Sequence, residues 1–155
     1  MKPFLLLGAL AATTFAPLSV ANAHEAPCPY CSMAITQDTP TQDNEVALKY
    51  GRKRIEYKCV YCAVAEAKTE YPNGDLSIIA PSEKKGEPVL LKRTGGQWTA
   101  LPTSAVFVSN TPLKHKVCNA QARAFSTEAA AKAYIAKAGL DTAPLTLAAL
   151  LERAK

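Results

Sequence analysis

Hydrophobic and polar positions alternate in two short segments that are separated by a turn. Residues 45–50 form the first segment, Gly51 and Arg52 the turn, and residues 53–57 the returning segment. From residue 59 to residue 71 the apolar positions recur at helical spacing instead, and a Pro-Asn-Gly sequence ends this stretch. The pattern therefore predicts an antiparallel hairpin followed by a helix.

Short apolar runs and two helical patterns fill the second half of the chain. Four strands are predicted, at 76–79, 89–92, 105–108 and, less clearly, between 117 and 125. Helices are predicted at 128–138, with Ser126 or Thr127 as cap and Gly139 as terminator, and at 145–154. The polar stretch 34–44 predicts a loop. This order indicates an α+β fold of small antiparallel sheets with helices, and suggests two strand–strand–helix units.

The N-terminal segment, residues 1–23, has the composition of a secretory signal peptide. Lys2 supplies the positive start, residues 4–15 are largely apolar, and the sequence Ala-Asn-Ala at 21–23 matches a small-x-small cleavage site. We find no uninterrupted run of roughly 20 apolar residues that would anchor the chain in a bilayer. We therefore expect a periplasmic protein with a mature domain over residues 24–155 and no stable membrane insertion.

Charge and motifs exclude two large classes of function. The chain has 155 residues and a formal net charge of +5, and its basic residues mostly flank turns. No longer run alternates basic and aromatic residues as a nucleic-acid-binding surface would. Hydrolase motifs and phosphate-binding glycine loops are missing too. We expect neither a nucleic-acid partner nor an enzyme.

Candidate chemistry is concentrated in the hexapeptide Cys-Pro-Tyr-Cys-Ser-Met at residues 28–33. Two thiols and a thioether, from Cys28, Cys31 and Met33, form a set of soft ligands that favours Cu(I) over harder metals. A second hypothesis joins this Cys-x-x-Cys to Cys59 and Cys62 in a four-thiolate zinc site. A local disulfide or ordinary buried sulfur is the third.

Four further residues are candidate ligands. Cys59 and Cys62 lie where a strand becomes a helix, and a helix N-terminus favours thiolate. This arrangement also suits a thiol-disulfide oxidoreductase, whereas Cys62 would serve equally as a small buried hydrophobe. His115 precedes Cys118 by three residues, so that both could bind metal from one loop. A surface histidine among lysines and an unpaired or buried thiol are the alternatives.

The hexapeptide resembles the Cys-x-x-Cys-Gly-Met opening of NosL-like proteins, the copper accessory proteins of nitrous oxide reductase, with Ser32 in place of the glycine. The aromatic segment 57–62 and the Ala-rich C-terminal part are similar to that family too. The resemblance implies an exported Cu(I) chaperone over residues 24–155, with Cys31 and Met33 as ligands and Cys28 as a third. We expect an exposed, low-coordinate site and a copper-receiving periplasmic or membrane protein as partner.

Overall fold

The computed structural model describes three ranges of the chain: 25–36, 45–109 and 122–154. Within these ranges the protein has three antiparallel sheets, of two, five and two strands, and three α-helices. The predicted α+β fold is thus confirmed. The predicted signal peptide (1–23), His115 and Cys118 lie outside the described residues. None of the described helices has both the length and the hydropathy needed to cross a bilayer.

The strands in chain order are β1 (Glu25–Pro27), β2 (Ala34–Thr36), β3 (Val46–Tyr50), β4 (Lys53–Tyr57), β5 (Leu76–Ala80), β6 (Val89–Thr94), β7 (Gln97–Leu101), β8 (Val106–Val108) and β9 (Arg123–Phe125). The helices are α1 (Val60–Thr69), α2 (Glu128–Ala138) and α3 (Leu147–Arg153). The central sheet has the order β4-β3-β5-β6-β7, while β1 pairs with β2 and β8 with β9. The segments β3-β4-α1 and β8-β9-α2 both run strand, strand, helix.

The main core lies between the central sheet and α1. Leu48, Ile78 and Leu91 are paired in register across β3, β5 and β6, and all three are fully buried. Small side chains line the buried side of α1, including Ala63, Val64 and Ala67. Because small residues allow close packing, the helix approaches the sheet, and burial of this apolar surface holds it there. The packing fixes α1 at the end of β4.

A buried arginine secures the C-terminal end of α1. Arg93 is 4% exposed, and its guanidinium donates to the carbonyl oxygens of Ala67 at 3.1 Å, Asn73 at 3.1 Å and Gly74 at 3.0 Å, and also to that of Tyr71. Carbonyl groups at a helix C-terminus carry partial negative charge and need donors. One side chain therefore fixes the helix end and the loop that follows it.

The strand pattern differs from the sequence prediction at two places. The predicted loop 34–44 begins with β2, which pairs with β1, and neither strand was expected because three residues are too few for a recognisable alternation. Strand β7 was also missed, although it forms a hairpin with β6 around Gly95 and Gly96. Its exposed Gln and Thr residues obscure the apolar face, which consists of Trp98 and Ala100.

Candidate metal centre

The β1–β2 hairpin presents two of the thiols. Within its loop, the Cys28 amide donates to the Met33 carbonyl at 2.9 Å, and the Ser32 amide donates to the Cys28 carbonyl at 2.8 Å. Ser32 has a φ of +57°, in the left-handed region that glycine prefers. The tight loop turns Cys28 and Cys31 into the protein, where they are 1% and 3% exposed.

The start of α1 presents the next two thiols. Cys59 is the N-cap residue, with extended backbone angles, and Cys62 lies one turn further on. The amide of Val60 donates to the carbonyl of Ala122 at 3.3 Å, which ties this helix end to the segment before β9. Cys59 and Cys62 are both buried, with a hydrogen bond between sulfurs 3.5 Å apart. The four described cysteines are thiols, not half-cystines.

The hairpin and the helix bring three sulfurs together. The Sγ atoms of Cys28, Cys31 and Cys62 all lie within 4.8 Å of one another. Three thiolates that surround one metal in a plane, with bonds of about 2.3 Å, have sulfurs about 4 Å apart. A contraction of under about 1 Å would therefore bring the three sulfurs into coordination. The arrangement could hold a metal ion, and its all-sulfur donor set suits a soft one.

Cys59 is not one of this mutually close set. As the N-cap residue it has extended backbone, and its sulfur contacts Cys62 within its own segment. The described residues place the sulfurs of Cys28, Cys31 and Cys62 within 4.8 Å of one another, and Cys59 lies beside Cys62 but outside that group. The four-thiolate zinc site stays a prediction. The remaining candidates, His115 and Cys118, lie outside the described residues.

Hydrogen bonding sets the protonation of the cluster. The Cys62 thiol donates to Cys28 and, with help from the backbone amides of Lys58, Cys31 and Tyr30, lowers the pKa of Cys28 to about 5, although burial opposes this. The same hydrogen bond raises the pKa of Cys62, and burial raises that of Cys31. At neutral pH the cluster therefore holds one thiolate and two thiols. A metal bound by all three displaces two protons.

The site is buried, so the expectation of an exposed site is wrong. Cys62 is 0% exposed, and the two hairpin cysteines are nearly so. The β1–β2 hairpin causes this burial, because it packs over the start of α1. The sequence did not reveal the hairpin. Met33 is partly buried and packs against the core that includes the cysteines. That Met33 binds the metal stays a prediction.

Two further side chains around the cluster were not anticipated. Tyr57 at the end of β4 is 0% exposed, and its hydroxyl has no hydrogen-bond partner among the described residues. Glu66 follows Cys62 by one helical turn, and its pKa is raised by burial, by Glu70 and by the charge of Cys28. The sequence held one signal for Tyr57. It precedes Cys59 by two residues, and residues two apart in an extended chain point to the same side.

Comparison with known proteins gives a likeness of fold. No protein-family model and no curated protein sequence matches the chain. The crystal structure of the mercury-bound form of MerB2 is similar, with a TM-score of 0.55 at 16% sequence identity. The alignment covers 69% of this chain and 54% of the MerB2 chain, so the chain spans about half the length of that protein. At this identity the likeness establishes a shared fold only.

Proposed function

We propose that this protein is an exported Cu(I)-binding chaperone of the NosL-like kind, which binds copper through Cys28, Cys31 and Cys62, with Met33 as a further ligand. The main support is the set of three buried sulfurs within 4.8 Å of one another. Thiolate and thioether donors favour Cu(I), whereas harder ions prefer oxygen. The signal-peptide pattern of residues 1–23 supports export, and the metal in the MerB2 structure is a soft one.

Loading begins from the Cys28 thiolate, which is charged at neutral pH and so is ready to bind a cation. Cys31 and Cys62 then bind as each loses a proton to solvent. The product is a three-thiolate complex with a net charge of −2, formed by one Cu(I) and three thiolates. Burial excludes water and larger oxidants from it, which protects the reduced metal.

Transfer requires the site to open. The hairpin carries Cys28 and Cys31, whereas Cys62 belongs to α1, so that separation of these two segments breaks the ligand set. A donor atom of the partner then replaces Cys62 while the hairpin cysteines still hold the metal. The recipient is a copper-accepting periplasmic or membrane protein, and the β1–β2 hairpin is the surface that it contacts first.

An anaerobic competition titration tests this function. The reduced protein is titrated with Cu(I) against a chromophoric chelator, with Zn(II) in a parallel series. We expect the protein to bind one Cu(I) per chain. Cys62→Ser should bind it at least about 100-fold more weakly, because even the loss of a hydrogen bond to a ligand lowers metal affinity about 10- to 100-fold. Cys59→Ser is the matched control. It removes a sulfur that hydrogen-bonds Cys62 but leaves a hydroxyl in its place, so it should weaken binding less than Cys62→Ser does. Binding that is indifferent to Cys62, or tighter for zinc, would refute the proposal.

A thiol-disulfide oxidoreductase is the second candidate. The observation that favours it is the 3.5 Å separation of the Cys59 and Cys62 sulfurs at the start of α1. Two thiols there could be oxidised to a disulfide as a partner disulfide is reduced. However, both are buried and the pKa of Cys62 is raised, which disfavours nucleophilic attack. Catalysed reduction of insulin that is lost in Cys59→Ser but kept in Met33→Leu would favour this candidate.

A further inference from the structure

Strand β7 forms one edge of the central sheet, and its outer side pairs with no other described strand. Strand β4, which leads into α1 and the cysteine cluster, forms the opposite edge, so that four strand spacings, roughly 19 Å, separate the two. The sequence of β7, Gln-Trp-Thr-Ala-Leu, contains neither a charged residue nor a proline. Proteins commonly use such residues to keep an exposed edge from pairing with another chain. The edge at β7 lacks this protection.

The register of the β6–β7 hairpin decides which backbone groups of β7 face outward. Its turn consists of two glycines with positive φ, at residues 95–96, and Thr94 pairs with Gln97 on either side of them. The pair that closes such a turn exchanges backbone hydrogen bonds, and bonded and non-bonded pairs alternate from there along an antiparallel ladder. Trp98 and Ala100 therefore belong to non-bonded pairs, and their backbone N–H and C=O groups point to the free edge.

These outward groups are unused within the described part of the protein. No hydrogen bond from outside the sheet reaches the backbone of Trp98 or Ala100 among the described residues. Two donors and two acceptors thus lie along about 7 Å of edge, which is the spacing at which an antiparallel strand presents its own groups. One added strand would satisfy all four.

A cleft lies along the same edge. Residues 98–100 form one wall, and residues 103–106 form the other together with the starts of α2 and α3. The volume of the cleft is about 560 Å³, within the range of about 300–1,000 Å³ that ligand pockets have. It therefore has room for a short segment of chain, whereas two copies paired through β7 would have to bring the walls of both clefts past each other.

The lining of the cleft indicates which kind of segment fits. The side chains of Trp98, Ala100 and Leu147 are partly buried against the main core and offer an apolar wall. Glu128 is the one charged side chain among the described residues that line the cleft, and its carboxylate pairs with Lys132 at 2.7 Å. Side chains alternate in direction along a strand, so every second residue of a paired segment faces the apolar wall. The fitting segment is uncharged, with apolar residues at alternate positions.

We propose that β7 is a docking edge for a partner protein, of which an extended, uncharged segment with apolar residues at alternate positions adds to the central sheet as a sixth strand. Hydrogen bonds to the backbone of Trp98 and Ala100 attach the segment, and the apolar wall selects its side chains. Because the sheet is antiparallel throughout, the added strand runs antiparallel to β7. This surface is separate from the cysteine cluster, and the inference does not depend on copper binding.

A peptide titration tests the inference. The probe is acetyl-Ser-Val-Thr-Val-Ser-amide, added to the full-length reduced protein. Trp98 is the one tryptophan of the chain, so its fluorescence reports occupation of the cleft, and we expect a saturable change below about 1 mM peptide. N-methylation of both valines removes the amides that face β7 and should weaken binding at least about tenfold. N-methylation of the central threonine, whose amide faces away from β7, is the matched control and should weaken binding much less.

A substitution in β7 provides a second test. Ala100→Pro removes one outward N–H without breaking a ladder hydrogen bond, and an edge strand tolerates proline at such a position. We expect the variant to keep its circular dichroism and melting temperature but to bind the peptide about tenfold more weakly. Ala100→Ser retains the N–H and should bind as the unmodified protein does.

Three results would overturn the inference: no saturable change in fluorescence, equal affinity for the peptides methylated at valine and at threonine, or unchanged binding by folded Ala100→Pro. If Ala100→Pro does not fold, the methylated peptides decide. Sedimentation without peptide tests a second copy as the occupant of the edge. A dimer that Ala100→Pro abolishes would assign the edge to self-pairing, and would also overturn the proposed partner segment.

Discussion

The ring of Tyr30 meets the ring of Tyr61 edge to face, with centroids 6.2 Å apart and planes inclined at 65°. Tyr30 belongs to the hairpin loop, and Tyr61 lies in the first turn of α1, where its hydroxyl donates to the carbonyl of Arg153 at 3.2 Å. Both occupy the third position of a Cys-x-Tyr-Cys sequence. The contact therefore joins the two segments that supply the clustered thiols.

Replacement of Tyr30 should loosen the metal site without unfolding the protein. An aromatic pair contributes roughly 0.5–1.5 kcal/mol beyond its buried area, so we expect Tyr30→Ala to weaken Cu(I) binding by about tenfold. Tyr30→Phe retains the ring and should bind within about threefold of the unmodified protein. Competition titration measures both affinities, and limited proteolysis follows the hairpin. Equal affinity of the Ala and Phe variants would show that the ring contact does not support the site.

The depressed pKa of Cys28 predicts a pH-dependent stability. Between about 5, the pKa in the folded protein, and 9.0, the ordinary value, only the unfolded chain holds the proton. Unfolding then takes up a proton, so the contribution is complete above pH 9.0 and is lost as the pH falls through about 5.

Glu45 acts in the opposite sense over part of this range, because burial and Glu56 raise its pKa to about 7. Comparison with Cys28→Ser isolates the thiol. Urea unfolding at about pH 5 and about pH 8 should show that the substitution costs more stability at the higher pH. An equal cost at both values would mean that Cys28 is not a thiolate in the folded protein.

The backbone at Ser32 predicts a stabilising substitution. A non-glycine residue in the left-handed region costs roughly 1 kcal/mol, and Ser32 has a φ of +57°. Ser32→Gly should therefore raise the free energy of unfolding by about 0.5–1 kcal/mol, with Cu(I) affinity unchanged, since the loop keeps its shape. Ser32→Ala is the control and should give no gain. Urea unfolding of the three proteins measures the effect, and destabilisation by glycine would argue against the left-handed conformation.

Arg93 predicts a large loss of stability from a conservative change. Lysine keeps the charge but cannot reach several carbonyl groups with a planar fork of donors. We expect Arg93→Lys to lower the free energy of unfolding by about 2–3 kcal/mol, because buried carbonyl groups lose their donors. Lys92→Arg, at the exposed neighbouring position, is the control for surface charge. Chemical denaturation decides, and a loss no larger than that of the control would contradict this role.

The sequence predicts the fold better than the site. Strong alternation gave the β3–β4 hairpin, and helical spacing gave α1, because each periodicity reflects a buried face. The cysteine motif predicted a cluster of thiols that could hold a metal ion, but not that Cys62 lies close to both hairpin thiols while Cys59 does not. The difference arises because Cys59 is the N-cap residue and Cys62 belongs to the first turn of α1, so their side chains point in different directions. The spacing of the two cysteines in the sequence does not reveal this. The hydroxyl of Tyr57 was missed because an isolated aromatic residue has no pattern.

X-ray absorption at the copper edge tests the central claim most directly. The unmodified protein, loaded with one equivalent of Cu(I) under anaerobic conditions, is compared with Cys62→Ser and Cys59→Ser. We predict a first shell of sulfur, with at least three scatterers, that loses one sulfur in Cys62→Ser and none in Cys59→Ser. A shell that contains nitrogen or oxygen in the unmodified protein, or that is the same after Cys62→Ser, would contradict a copper site shared between the hairpin and α1.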